Sequence, residues 1–129
     1  MINKRILIVD DEPDITSSLK IGLEYNEDDE FKVDTFNDPI EALSNYKTGH
    51  YDLLLLDIKM PIMDGFDLYH EIKKIDDNVK IFFLTASEMY YEEIRIKQYC
   101  ELDKNIFLRK PISIYYLSKR IKEELNKNN

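Results

Sequence analysis

Cysteine occurs once in the 129 residues, histidine twice and glycine three times, and each scarcity removes a class of protein. With Cys100 alone, no intrachain disulfide can form, and a single thiol is most often a small buried hydrophobe. No Cys/His cluster has zinc spacing, so a soft-metal site is not expected. Long hydrophobic runs are also missing. The longest, such as LLLL at 53–56 and IFFL at 81–84, fall far below the roughly 18 residues of a membrane span. The opening MINKRILIVDDE pairs basic residues with a short apolar run, but the acids at 10–12 end it before a secretory segment could form. These features together predict a cytoplasmic protein. An excess of basic charge is lacking too: the formal charge is -8, which argues against binding DNA or an acidic membrane through a general electrostatic footprint. Acidic clusters suit cations instead.

What is present is an ordinary globular composition, 43% hydrophobic and 34% charged, without repeats or low-complexity tracts. The length suits one domain, residues 1–129, too short for a receptor or a multidomain machine. Short apolar runs alternate with segments of helical period. RILIV (5–9) reads as a strand, and 13–24 as a helix with Pro13 in its first turn and Ile15, Leu19 and Leu23 on one face. FKVDTF (31–36) alternates as an edge strand does. Asp38-Pro39 then starts a helix carrying Ile40, Leu43 and Tyr46 and ended by Gly49.

The pattern continues with a strand at 52–57 and a helix capped by Asp64, with Leu68, Ile72 and Ile75 facing inward. A strand at 79–84, a fourth helix from about Glu88, a strand at 105–109 and a last helix over 113–125 complete five β-α units. In the last helix Ile114, Leu117, Ile121 and Leu125 face the core. Strands that are apolar throughout are buried on both faces, as in parallel sheets covered by helices. The expected fold class is α/β, a doubly wound, flavodoxin-like (βα)5 domain with sheet order 2-1-3-4-5.

In such a sheet, ligands gather at the carboxyl ends of the strands, where the strand order reverses. There the sequence places Asp10 and Asp11, then Asp57, then Thr85, then Lys110. The first and third strands are neighbours in that order, so the three aspartates converge. Crowded carboxylates repel, and one would hold a proton unless a cation joined them. Oxygen ligands with room for water suit Mg²⁺. A carboxylate can also attack phosphorus if the charge of the transferring group is neutralised. Lys110 could offer an ammonium to one phosphoryl oxygen and the Thr85 hydroxyl a hydrogen bond to another. Taken singly, each residue has a plainer reading: Asp10 and Asp11 as helix caps before Pro13, Thr85 as a strand residue, Lys110 as a turn lysine, Phe107 as core, and Asp64-Gly65 as a cap and turn. The joint pattern lifts the site residues above those readings, while Asp64-Gly65 stays a cap and turn.

In order and at strand ends, ILIVDDEP (6–13), LLLLDIKMPIMDG (53–65), LTA (84–86) and LRKPI (108–112) resemble the receiver domain of two-component response regulators over nearly the whole chain. The resemblance implies that Asp57 is the phosphoacceptor, that Asp11 binds Mg²⁺ directly and Asp10 largely through water, and that the backbone carbonyl of Lys59 is a further ligand. Mn²⁺ would be a substitute metal. It implies Thr85 as the switch hydroxyl, Phe107 at the switch-aromatic position, Lys110 as the phosphate-binding lysine and a cis bond at Lys110-Pro111. Lys59 and Ser87 would tune water attack on the aspartyl phosphate. The implied donor is the phosphohistidine of a sensor histidine kinase or phosphotransfer protein, since neither His50 nor His70 is placed near the pocket. The implied response is a remodelled surface of the fourth helix, fifth strand and fifth helix that controls a downstream target or output domain and could pair two copies. The protein would then be a regulatory phosphoacceptor rather than a turnover enzyme.

Rival readings fail on particular residues. A haloacid-dehalogenase-type phosphohydrolase needs a second aspartate two residues after the nucleophile, where Lys59 stands. A flavodoxin needs a phosphate loop where this chain has DDEPD. A receiver-like module that only binds partners would not need all the pocket residues. The chain departs from the family pattern in QYCELDKNIFLRKP (98–111), which lacks the usual small Gly-Ala step and lengthens the Thr85-to-Lys110 interval. After the last helix only NKNN is left, consistent with a stand-alone receiver or a piece cut at a linker.

Overall fold

The computed structural model describes residues 3–25, 31–86 and 104–127. Five strands form one parallel sheet in the order β2-β1-β3-β4-β5: β1 (Lys4–Val9), β2 (Phe31–Phe36), β3 (Leu53–Asp57), β4 (Lys80–Thr85) and β5 (Phe107–Arg109). The expected order 2-1-3-4-5 is therefore the observed one. Among the described residues the helices are α1 (Pro13–Glu24), α2 (Pro39–Ser44), α3 (Gly65–Ile75) and the last helix, α4 (Ile114–Leu125). The expected helix from Glu88, together with Ser87 and Cys100, lies outside the described residues.

The two central strands explain the apolar runs. Ile6 to Val9 of β1 and Leu53 to Leu56 of β3 are wholly inaccessible to water and pair in register, Ile6 with Leu53 through Val9 with Leu56. Each such side chain withdrawn from water contributes roughly 1.5–3 kcal/mol before entropy is counted. At the edge, β2 alternates at its start, with Phe31 and Val33 buried and Lys32 and Asp34 exposed. On one side of the sheet α1 meets α4 so closely that a Cβ on Gly22 would stand 2.5 Å from Ile114 Cδ1. The helices α2 and α3 pack against each other.

Three details differ from expectation. The second helix ends at Ser44 rather than near Gly49, because the Asn45 side chain and the Ser44 hydroxyl both donate to the Glu41 carbonyl and close the turn. Gly49 instead occupies a later turn, with φ of 77°. The fifth strand starts at Phe107, after a single 3-10 turn over Lys104–Ile106, where the Asn105 carbonyl accepts from Arg120 Nη2 of α4 at 2.7 Å rather than extending the sheet. Ile75, expected to face inward, is 49% exposed at the end of α3, and Phe66 and Tyr69 take inward positions alongside Leu68 and Ile72.

Main-chain bonds continue past the ends of the strands. The Ile58 amide donates to the Leu84 carbonyl at 3.0 Å, the Lys110 amide to the Thr85 carbonyl at 2.8 Å, and the Asp10 amide to the Phe36 carbonyl at 3.2 Å. The loops that leave the carboxyl edge are thereby stitched together just where the polar side chains emerge.

Candidate functional site

Asp57 is the last residue of β3, Thr85 the last of β4, and Asp10 follows β1 directly. All three are buried, which is costly for polar groups without partners. Lys110 is the common partner of the two aspartates: its Nζ lies 2.8 Å from Asp10 Oδ2 and 3.2 Å from Asp57 Oδ1, with Glu12 Oε1 at 3.5 Å. Lys110 follows β5, its amide donates to the Thr85 carbonyl, and the Lys110-Pro111 peptide is cis, as the resemblance implied.

Asp10 does two jobs. Its Oδ1 accepts from the Glu12 amide at 3.0 Å, which shapes the turn into α1, while Oδ2 faces Lys110. The turn is fixed from behind by Asn37, whose Nδ2 donates to the Asp10 carbonyl at 2.8 Å and to Thr16 Oγ1 at 2.9 Å. On the other side Gly65 begins α3 against the main chain of Asp57: a Cβ there would lie 2.4 Å from the Asp57 carbonyl oxygen. The Asp64 side chain caps the helix by accepting from the Asp67 amide.

Burial and the neighbouring Asp10 charge push the Asp57 carboxyl up to about 7, with Lys110 pulling the other way and Asp11 adding to the rise. Burial likewise raises Asp10 above the ordinary carboxylate range, against the pull of Lys110. Burial works against the Lys110 ammonium, but Asp10 and Asp57 outweigh it and hold the group in its charged form. One ammonium thus faces an excess of negative charge. Carboxylate oxygens of Asp10, Asp11 and Glu12 come within 4.8 Å of one another, and Asp57 is joined to Asp10 through Lys110 Nζ. This all-oxygen set with surplus negative charge fits a hard divalent cation such as Mg²⁺.

Thr85 Oγ1 donates to the Ala86 carbonyl at 2.7 Å, along its own loop. Phe107 is half-buried, stacked on Phe83 with ring centroids 5.4 Å apart and an interplanar angle of 21°. Beside the pocket, a groove of about 560 Å³ opens between α1 and the turn after β5, lined by Ile15, Ser18, Leu19, Lys110, Pro111 and Ile112 among others.

The residues singled out in the sequence, Asp10, Asp11, Asp57, Thr85 and Lys110, stand at one edge of the sheet. Reading the sequence missed Glu12 and Asn37. Glu12 was signalled only as the third acid of DDE. Nothing in the sequence around Asn37 distinguishes it from an ordinary residue at the end of a strand.

Comparison with known proteins agrees with this geometry. The transcriptional regulatory protein PrrA of Mycobacterium leprae is 31% identical over 95% of this chain. The alkaline phosphatase synthesis transcriptional regulatory protein PhoP of Bacillus subtilis is 31% identical over 98%. The chain spans about half the length of each, 50% in both cases. Among solved structures, a response regulator receiver domain protein from Clostridium thermocellum superposes with a TM-score of 0.79 at 29% identity, covering 95% of this chain and 94% of that one. The non-phosphorylated HemR receiver domain from Leptospira biflexa gives a TM-score of 0.78 at 27% identity, covering 98% of each chain. With the family model for the response regulator receiver domain matching residues 6–122, the chain belongs to the response regulator receiver family.

Proposed function

We propose that this chain is a phosphorylation-dependent switch in which Asp57 accepts a phosphoryl group from the phosphohistidine of a sensor kinase or phosphotransfer protein. The observation that carries the reading is the bridge of Lys110 Nζ between Asp57 and Asp10 at the buried sheet edge. A Mg²⁺ ion held by Asp10, Asp11, Asp57 and the Lys59 backbone carbonyl would supply the positive charge that lets Asp57 ionise and the phosphoryl oxygens approach. Mn²⁺, with the same preference for oxygen, is a second metal of the same use.

The chain's own residues do the rest. An Asp57 carboxylate oxygen forms the new bond to phosphorus as the bond to the leaving nitrogen breaks. The electron pair departs with the imidazole, which takes up a proton. Lys110 turns from the carboxylate to a phosphoryl oxygen and neutralises part of the arriving charge of about -2. Thr85 exchanges its bond to the Ala86 carbonyl for one to the phosphoryl group. That rotation frees space next to β5, and Phe107, held by stacking and without a hydroxyl, changes its packing on Phe83. The change would be read by a downstream target or output domain, or by a second copy of the chain, at the β5 face. The groove between α1 and Pro111 borders Lys110 and gives a donor protein an apolar seat next to the reacting atoms.

The reading makes the protein a regulator and not a turnover catalyst, and places it in the cytoplasm with its kinase's donor domain. No helix among the described residues is long and apolar enough to cross a membrane. The test is intact-mass spectrometry of wild type and Asp57→Ala after incubation with Mg²⁺ and acetyl phosphate. A single phosphoryl adduct on wild type, absent from Asp57→Ala, is expected. An adduct that survives the substitution, or none on wild type, would overturn the reading.

A further inference from the structure

Among the described residues Lys110 has three carboxylate partners, and they differ in where they stand. The side chains of Asp10 and Asp57 are 0% and 6% exposed, whereas that of Glu12 is 61% exposed and reaches Lys110 Nζ from the solvent side at 3.5 Å. Glu12 Oε1 is therefore no more than about 7 Å from Asp57 Oδ1, the two contacts to Nζ placed end to end. Its side chain makes no capping hydrogen bond at the start of α1, and its backbone is fixed at both ends, the amide by Asp10 Oδ1 and the carbonyl by the Ile15 and Thr16 amides. An exposed charge on an anchored backbone, making no capping hydrogen bond to its helix, is aimed at the Lys110 ammonium.

We propose that Glu12 is a specificity-determining residue, a charge gate at the pocket mouth that disfavours free anionic phosphodonors relative to donors of lower charge. The inference rests on the reading of Asp57 as the phosphoacceptor. A free donor that approaches Asp57 on the open side of Lys110 meets the Glu12 carboxylate, and its repulsion grows with the donor's charge. A phosphoryl group delivered by a partner protein carries docking contacts that offset the repulsion, and a small dianion carries none. The gate would thus keep the switch answering to its partner in the presence of metabolic acyl phosphates.

The test compares wild type, Glu12→Gln and Glu12→Asp at saturating Mg²⁺, with mass-spectrometric time courses for two donors. Acetyl phosphate is a dianion at neutral pH and phosphoramidate a monoanion. One unit charge acting on a dianion about 7 Å away in a water-like dielectric corresponds to roughly a sevenfold change in the second-order rate constant, and to about two- to threefold for the monoanion. At low ionic strength Glu12→Gln is expected to raise the acetyl phosphate constant by about that factor and the ratio between donors by about threefold. At 0.15 M salt both gains should shrink by at least half on the free-energy scale. Glu12→Asp, which keeps the charge, should keep the wild-type ratio between the two donors and its wild-type dependence on salt.

Mg²⁺ affinity, measured on the same variants by titration calorimetry, tests a separate use of Glu12. If its part were only to bind the metal, both donors would slow by the same factor and their ratio would not move, which would overturn the gate. An unchanged ratio in any form, or one insensitive to salt, overturns it as well. Failure of wild type and variants alike to gain an adduct on Asp57 would overturn the phosphoacceptor reading and the gate with it. Adducts with unchanged donor preference would overturn the gate alone.

Discussion

Lys110 and Asp57 meet at 3.2 Å within the pocket, the side chains 17% and 6% exposed. Replacing Lys110 by methionine keeps the aliphatic stem and removes the charge that Asp10 and Asp57 share. Breaking a fully buried ion pair costs about 3–5 kcal/mol, less where the stranded acids can take up protons. Lys110→Met should therefore lower the urea midpoint clearly at pH 8 and return towards wild type near pH 5. Equal losses at the two pH values would show that the ammonium matters only by packing.

The metal-free protein should be more stable in mild acid than in mild base. The Asp57 carboxyl is raised from an ordinary 3.8 to about 7, so the folded state binds the proton more tightly than the unfolded chain does. That extra stability is fully present below the unfolded value and is lost as pH rises through about 7. Asp10, also raised, acts in the same direction. Asp57→Asn should flatten the decline between pH 5 and pH 8 and be more stable than wild type at pH 8. Addition of Mg²⁺ at pH 8 should stabilise wild type more than Asp57→Asn. Chemical denaturation across this pH range reads all three outcomes.

Gly65→Ala should damage fold and site together. The new methyl would press on the Asp57 carbonyl oxygen at 2.4 Å, its carbon at 3.0 Å and Ile58 Cα at 3.1 Å. All are backbone atoms and cannot swing aside. Overpacking of this kind costs about 1–3 kcal/mol, and because the displaced atoms carry Asp57, phosphorylation should slow beyond what the stability loss explains. Unfolding midpoints and adduct time courses on the same preparation check both parts.

Ile62 offers the opposite case. It is 91% exposed and takes a φ of 74°, a left-handed conformation that costs an L residue roughly 1–2 kcal/mol. Glycine removes that cost and adds some unfolded-state entropy. Ile62→Gly is expected to stabilise the domain by about 0.5–1 kcal/mol, seen as a higher urea midpoint with unchanged slope. A loss of stability would show that the isoleucine makes a contact worth more than its backbone strain.

Much of this fold is legible in the sequence because the buried parallel strands announce themselves. LLLL and IFFL have nowhere to lie except between two layers of helix, and the polar residues after them then fall at one edge. Alternation in FKVDTF marks β2 as the edge strand. The limits of the elements are less legible, because they depend on side-chain bonds that periodicity does not carry. Asn45 and Ser44 stop α2 by bonding Glu41, and Arg120, distant in sequence, takes the Asn105 carbonyl from β5. The same holds for the site. Asp57 and Lys110 stand out by position and by the resemblance their motifs carry, whereas Glu12 and Asn37 matter through what they touch. A contact made across the fold leaves no mark on the residues beside it in the chain.

The main-chain hydrogen bonds from the Ile58 amide to the Leu84 carbonyl and from the Lys110 amide to the Thr85 carbonyl have a consequence for how such a domain can change over time. They are made by atoms common to every residue but proline, so the platform that presents the pocket is specified independently of the groups standing on it. An acid, a hydroxyl or an ammonium can be exchanged there without redrawing the platform. Chemistry can then be lost, retuned or replaced while the architecture persists, and a descendant that had given up phosphate altogether would still offer partners the same shape.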